Sequence, residues 1–141
     1  MKRIFLLFVS VALVGTSLIS CSSDDNGGSS GDLVGKWYPE KSVYTFMGQN
    51  MDEPHEHLCP SKKDYVEFKS NGTFLAVDHE EDCQAYEDEG TWVKNGNELT
   101  ITGDGETGTV TIVSLTSSKL VVKTTMNEGG MNMEFEVHYK K

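Results

Sequence analysis

Three cysteines, four histidines and 22 acidic residues are the groups that could do chemistry in this 141-residue chain. Cys59 and Cys83 lack the Cys-x-x-Cys spacing of a redox pair. His55 and His57 flank one glutamate in "HEH" and share a side of the chain if it is extended. With His79 and nearby acids they offer donors for zinc or calcium. Two histidines on a loop seldom close a site, so neither a metal nor a cofactor is expected. The segment "DHEEDCQAYEDE" packs seven carboxylates into residues 78–89: Asp78, Glu80, Glu81, Asp82, Glu87, Asp88 and Glu89. Two readings stand for it: a solvated loop, or an acidic rim that steers cationic ligands. There is no Gly-x-Ser-x-Gly, no glycine-rich phosphate loop and no spaced carboxylate pair, and four scattered histidines make no triad. The chain therefore reads as a non-enzyme.

The third thiol, Cys21, ends an apolar run that begins after Lys2 and Arg3. That run is shorter than the roughly 20 apolar residues of a spanning helix, and its flanks are those of a secretion signal. The ending Leu18-Ile19-Ser20-Cys21 resembles the lipobox of bacterial lipoproteins. The resemblance implies a signal peptide over 1–20, cleaved before a cysteine that is acylated. Each buried methylene contributes roughly 0.8 kcal/mol, so acylated Cys21 would anchor the protein stably to a membrane. Residues 21–32 then form a flexible tether, rich in glycine and serine and without an apolar side chain after Cys21. Asp24 and Asp25 resemble the acidic export signal of some Gram-negative lipoproteins. The expected location is the outer membrane, surface-exposed, with the periplasmic face as the alternative.

The mature chain retains 10 basic against 22 acidic residues. Such a balance excludes nucleic acid, whose phosphates require basic contacts. Its length suits one domain with a modest core, residues 33–141. In an oxidising compartment Cys59 and Cys83 read as a disulfide.

From Leu33 onward, short alternating runs are separated by glycine-containing turns, and no helical period is sustained. Strands are expected at 35–46, 64–69, 73–78, 89–94, 97–102, 107–115, 119–126 and 131–139. Asn71-Gly72 and Asn95-Gly96 are strong hairpin signals because both residues tolerate positive φ. Pairing Met126 with Met131 sets one apolar face across the last two strands. Val110 and Ile112 alternate out of phase with Val113 and Leu115, which calls for a bulge. The fold class is all-β: an eight-stranded antiparallel up-and-down barrel, a meander whose closure hides its edges. If Ser70-Asn71-Gly72 is a three-residue turn, Phe68 meets Phe74, and extrapolation brings Cys59 opposite Cys83.

"LVGKWY", with Gly35 and Trp37, resembles the Gly-x-Trp signature that opens the first strand of lipocalins. "YVEFKSNGTF" followed by "GTWVKNGNELTI" is similar to the bacterial lipocalin-like domain of small lipoproteins. This resemblance implies a long first loop over an open mouth, and a binding function. Alternate turns of a meander fall at opposite ends. The tight turns and the tether share one end; loops 47–63 and 79–88 share the other, with all the mature methionines. Methionine adapts to varied apolar shapes. The expected pocket wall is Met47, Trp92, Met126, Met133 and Phe135, rimmed by the acids of 78–89. A monomer anchored through Cys21 would bind a small apolar or amphipathic ligand there, a cationic group suiting the rim. The rival is a cell-surface protein-interaction module, a filled barrel presenting loops 47–63 and 79–88.

Overall fold

The computed structural model describes residues 33–128 and 130–141; the expected signal peptide over 1–20, Cys21 and the expected tether over 21–32 lie outside them. Nine strands run in order: β1 (Gly35–Phe46), β2 (Gln49–Pro54), β3 (Tyr65–Phe68), β4 (Thr73–His79), β5 (Ala85–Asn95), β6 (Glu98–Gly103), β7 (Glu106–Leu115), β8 (Lys119–Glu128) and β9 (Met131–Lys140). All ladders are antiparallel and, β2 aside, join neighbours in the order β1-β3-β4-β5-β6-β7-β8-β9, with β1 also pairing β9. Eight strands thus close into a barrel, as the hairpin signals predict, and β2 is added outside the ring.

β2 lies inside what the sequence suggests is a loop, 47–63. It pairs with the upper half of β1, from Lys41↔Pro54 to Phe46↔Gln49. Met47 and Gly48 make the connection, with φ of 50° and 76°. Positive φ at both positions matches a two-residue primed turn, but methionine does not advertise one. All six β2 residues are exposed, so no buried face marks the strand in the sequence. β1 meets β3 only over Gly35–Trp37, and a bulge between Pro39 and Lys41 shifts its register against β9.

One end of the barrel is plugged. Trp37 is fully buried, donates its indole N–H to the Leu33 carbonyl at 2.7 Å and lies 4.6 Å beneath the Lys141 ammonium. The β3–β4 turn is the three-residue one: the Lys69 amide donates to Thr73 O, and Phe68 meets Phe74. Trp92 caps this turn, its indole N–H shared between Lys69 O and Thr73 O at 3.2 and 3.0 Å.

Two registers refine the sequence reading. Across β8–β9, Met126 pairs with Met133, not Met131, and Val122 with Val137. The two-residue slip preserves side-chain parity, so the predicted apolar face survives. In β7 the expected bulge falls between Ile112 and Ser114. It turns Val113 out to solvent and lets Leu115 pack on the core.

Candidate functional site: an apolar cavity with an acidic mouth

A cavity of about 120 Å³ opens inside the barrel. Its wall follows strand alternation. Val66 and Phe68 come from β3, Phe74 and Ala76 from β4, Leu99 and Ile101 from β6, with Val110, Leu120, Val122 and Tyr139 completing it. Inward positions at Ala76, Gly103 and Gly108 are small, which leaves the volume open. A Cβ on Gly90 would stand 2.1 Å from the Thr102 carbonyl oxygen and 2.6 Å from the Phe74 ring. Its absence lets β5 and β6 approach there and seats that ring.

Among the described residues, Asp88, Asp104 and Glu106 are the charged ones lining this space, and no basic side chain joins them. Asp88 pairs with Ala76, and Glu106 with Gly103. Asp78 shares the inward parity of Phe74 and Ala76. Burial pushes its carboxyl up to about 7, and repulsion from Asp64 and Asp88 acts the same way. Tyr139 is raised by burial and then by the Asp78 charge, so its phenol keeps its proton at the cavity wall.

Beside this mouth, the loop after β2 folds back on the end of β4. The Cys59–Cys83 disulfide ties it to the β4–β5 turn, as expected. The His55 amide donates to Glu40 O at 2.8 Å. Around Asp64, buried with only 6% of its side chain exposed, stand all three histidines singled out above. Oδ2 lies 2.8 Å from His55 Nε2 and 3.3 Å from His57 Nδ1. Oδ1 accepts the His79 amide at 2.8 Å and lies 3.3 Å from His79 Nδ1. Burial alone would raise the Asp64 pKa, but the hydrogen bonds from His55 and from the His79 amide, with the electrostatic attraction of His55, outweigh it, and the net shift is downward. Sequence reasoning missed Asp64 because it stands outside both "HEH" and the 78–89 acids; its signal was a lone acid just before a strand.

The residues expected to wall the pocket are placed otherwise. Met47 is 81% exposed at the tip of the β1–β2 hairpin. Trp92 caps the closed end through its two carbonyl contacts. Phe135 is buried against Tyr44, ring centroids 4.9 Å apart, while Met126 faces Met133 across β8–β9 and packs on the core's edge. None of the five lines the cavity. Of the seven rim acids, Asp88 lines it and Asp78 faces inward, while Glu81, Asp82, Glu87 and Glu89 are exposed and Glu80 is half-buried. Asp104 and Glu106 were missed; both sit in "TGDGET", which carries a turn signal only. Alternation through Leu99, Ile101 and Gly103, paired with Val110, Gly108 and Glu106, was the available clue.

The lipocalin-like domain family matches residues 33–122. A lipocalin-like protein from Bacteroides uniformis is 17% identical, with a TM-score of 0.57 over 78% of this chain and 98% of that one. An uncharacterized protein from Bacteroides eggerthii is 16% identical, with a TM-score of 0.55 over 77% and 98%. Lobster apocrustacyanin A1 is 12% identical, with a TM-score of 0.53 over 80% and 62%. No curated protein matches the sequence. With the match to the family spanning most of the barrel, the chain belongs to the lipocalin-like domain family.

Proposed function

We propose that the protein binds a small apolar molecule bearing a cationic group, body first, in the barrel cavity. One observation carries this reading: an apolar wall whose charged members are Asp88, Asp104 and Glu106, all acidic. The volume sets the size class. An engineered apolar cavity of about 150 Å³ holds benzene, so about 120 Å³ suits a single ring or a short alkyl chain. An ammonium at the mouth would meet carboxylates at the edge of a low-dielectric interior, where charge pairing is stronger than in bulk water. The net charge of −10 adds long-range attraction for cations.

In the same proposal Cys21 is acylated and holds the domain at the outer membrane. Leu33, the first described residue, lies against Trp37 at the plugged end. An anchor on residue 21 would then attach opposite the mouth and leave it clear of the tether.

The test is displacement of an apolar fluorescent probe from the full chain in mild detergent by benzylamine, toluene and benzoate. Benzylamine is expected to displace best, benzoate least, and added salt to narrow the gap. Failure of all three, or benzoate as the best competitor, overturns the proposal. A second reading rests on β2, which ends the strand order with Met47 and Met51 exposed, the latter 58%. There loops 47–63 and 79–88 would meet a protein partner, and the cavity would take no probe.

A further inference from the structure

We propose that His55, His57 and Asp64 form a divalent transition-metal site, with zinc as the fitting class of ion, and that His79 positions the carboxylate. The site lies apart from the cavity and stands or falls independently of it. One donor atom from each of His55, His57 and Asp64 lies within 4.8 Å of the others. Tetrahedral zinc with bonds of ~2.0–2.1 Å has ligand-to-ligand edges of ~3.3 Å. His57 Nδ1 and Asp64 Oδ2 are separated by 3.3 Å. His55 Nε2 is 2.8 Å from the same oxygen and needs to open by only a few tenths.

The state of His57 sharpens the case. Its Nδ1 accepts the Asp64 amide hydrogen at 3.1 Å, so that nitrogen carries no proton and its one ring electron pair is engaged with the amide. In that tautomer no proton lies between Nδ1 and Asp64 Oδ2, which stand 3.3 Å apart. An ion taken up there receives the Nδ1 pair in place of the amide hydrogen.

Pre-organisation separates this group from two histidines on a free loop. The Cys59–Cys83 bond fixes the loop behind them. His55 is held through its amide on Glu40 O. Asp64 is clamped on its far oxygen by the His79 amide and ring, with 8% of the His79 side chain exposed. That is the outer-shell role that fixes a metal-binding carboxylate. His57 keeps 26% of its side chain exposed, so solvent reaches the open fourth position. Two imidazoles with a carboxylate suit zinc, copper or nickel; calcium and magnesium prefer all-oxygen shells.

The experiment is calorimetric titration of zinc chloride into the full chain in detergent at neutral pH, with cobalt(II) absorption as a second readout. One ion per chain is expected, and intense visible cobalt bands that mark four-coordination. Alanine at both His55 and His57 should abolish saturation. His79→Ala should keep the stoichiometry and weaken affinity by about 10–100-fold. His138→Ala, whose ring contacts Glu136 on β9, should change nothing. A flat titration overturns the proposal. So does an unchanged isotherm in the folded His55→Ala/His57→Ala variant, which would assign the heat to the exposed acids of 80–89.

Discussion

At the residue scale, two side-chain environments have measurable consequences. Asp78 holds its proton up to about pH 7 in the folded chain, whereas an unfolded aspartate releases it near 3.9. Between those values the folded state binds more protons than the unfolded one, so stability falls as pH rises and levels off above 7. Asp78→Asn removes this slope. Because Asp78 is only partly buried, the full shift overstates the effect; a gain of roughly 1–2 kcal/mol at pH 8 and about none at pH 4 is expected. Urea denaturation at the two pH values checks it, and parallel losses at both would contradict it. Asp64 has the opposite sign: its lowered pKa contributes stability at neutral pH that disappears on acidification. At Gly90 the neighbour of an added Cβ is backbone, the Thr102 carbonyl, which cannot rotate away. Gly90→Ala should therefore destabilise by about 1–3 kcal/mol, read as a lower urea midpoint, although the volume change is one methyl.

At the element scale, the disulfide and the loop it fixes act together. A crosslink spanning 24 positions contributes about 3 kcal/mol by restricting the unfolded chain. Replacing Cys59 and Cys83 by serine should cost a comparable amount. Amide exchange should quicken first between residues 55 and 64, since β3 and β4 retain their own ladder. Uniform exchange across the barrel would contradict this local role.

Much of this element map was legible in the sequence, because Asn-Gly pairs and two-residue alternation are local signals. The Phe68–Phe74 register and the β7 bulge followed from them. β2 was illegible because its turn is Met47-Gly48 and its residues bury no face. The sequence pattern points to Met47 and Trp92 as pocket wall. Their actual places depend on the Met47-Gly48 turn and on two carbonyls offered by the β3–β4 turn. Asp64 and the histidines are brought together by the path of a loop, which no periodicity encodes.

At the scale of the whole molecule, the barrel has polarity. Leu33, Trp37 and Lys141 close one end, and three lining carboxylates mark the other opening. In the proposed function the interior between them is hollow and receives a ligand. Methyl-resolved NMR of the full chain titrated with benzylamine reads this out at the wall itself. Saturable shifts should appear at Ala76, Ile101, Val110, Leu120 and Val122, with Met47 and Val113 unmoved. Shifts confined to Met47, Met51 and the 80–89 loop, with the inward methyls silent, would contradict it.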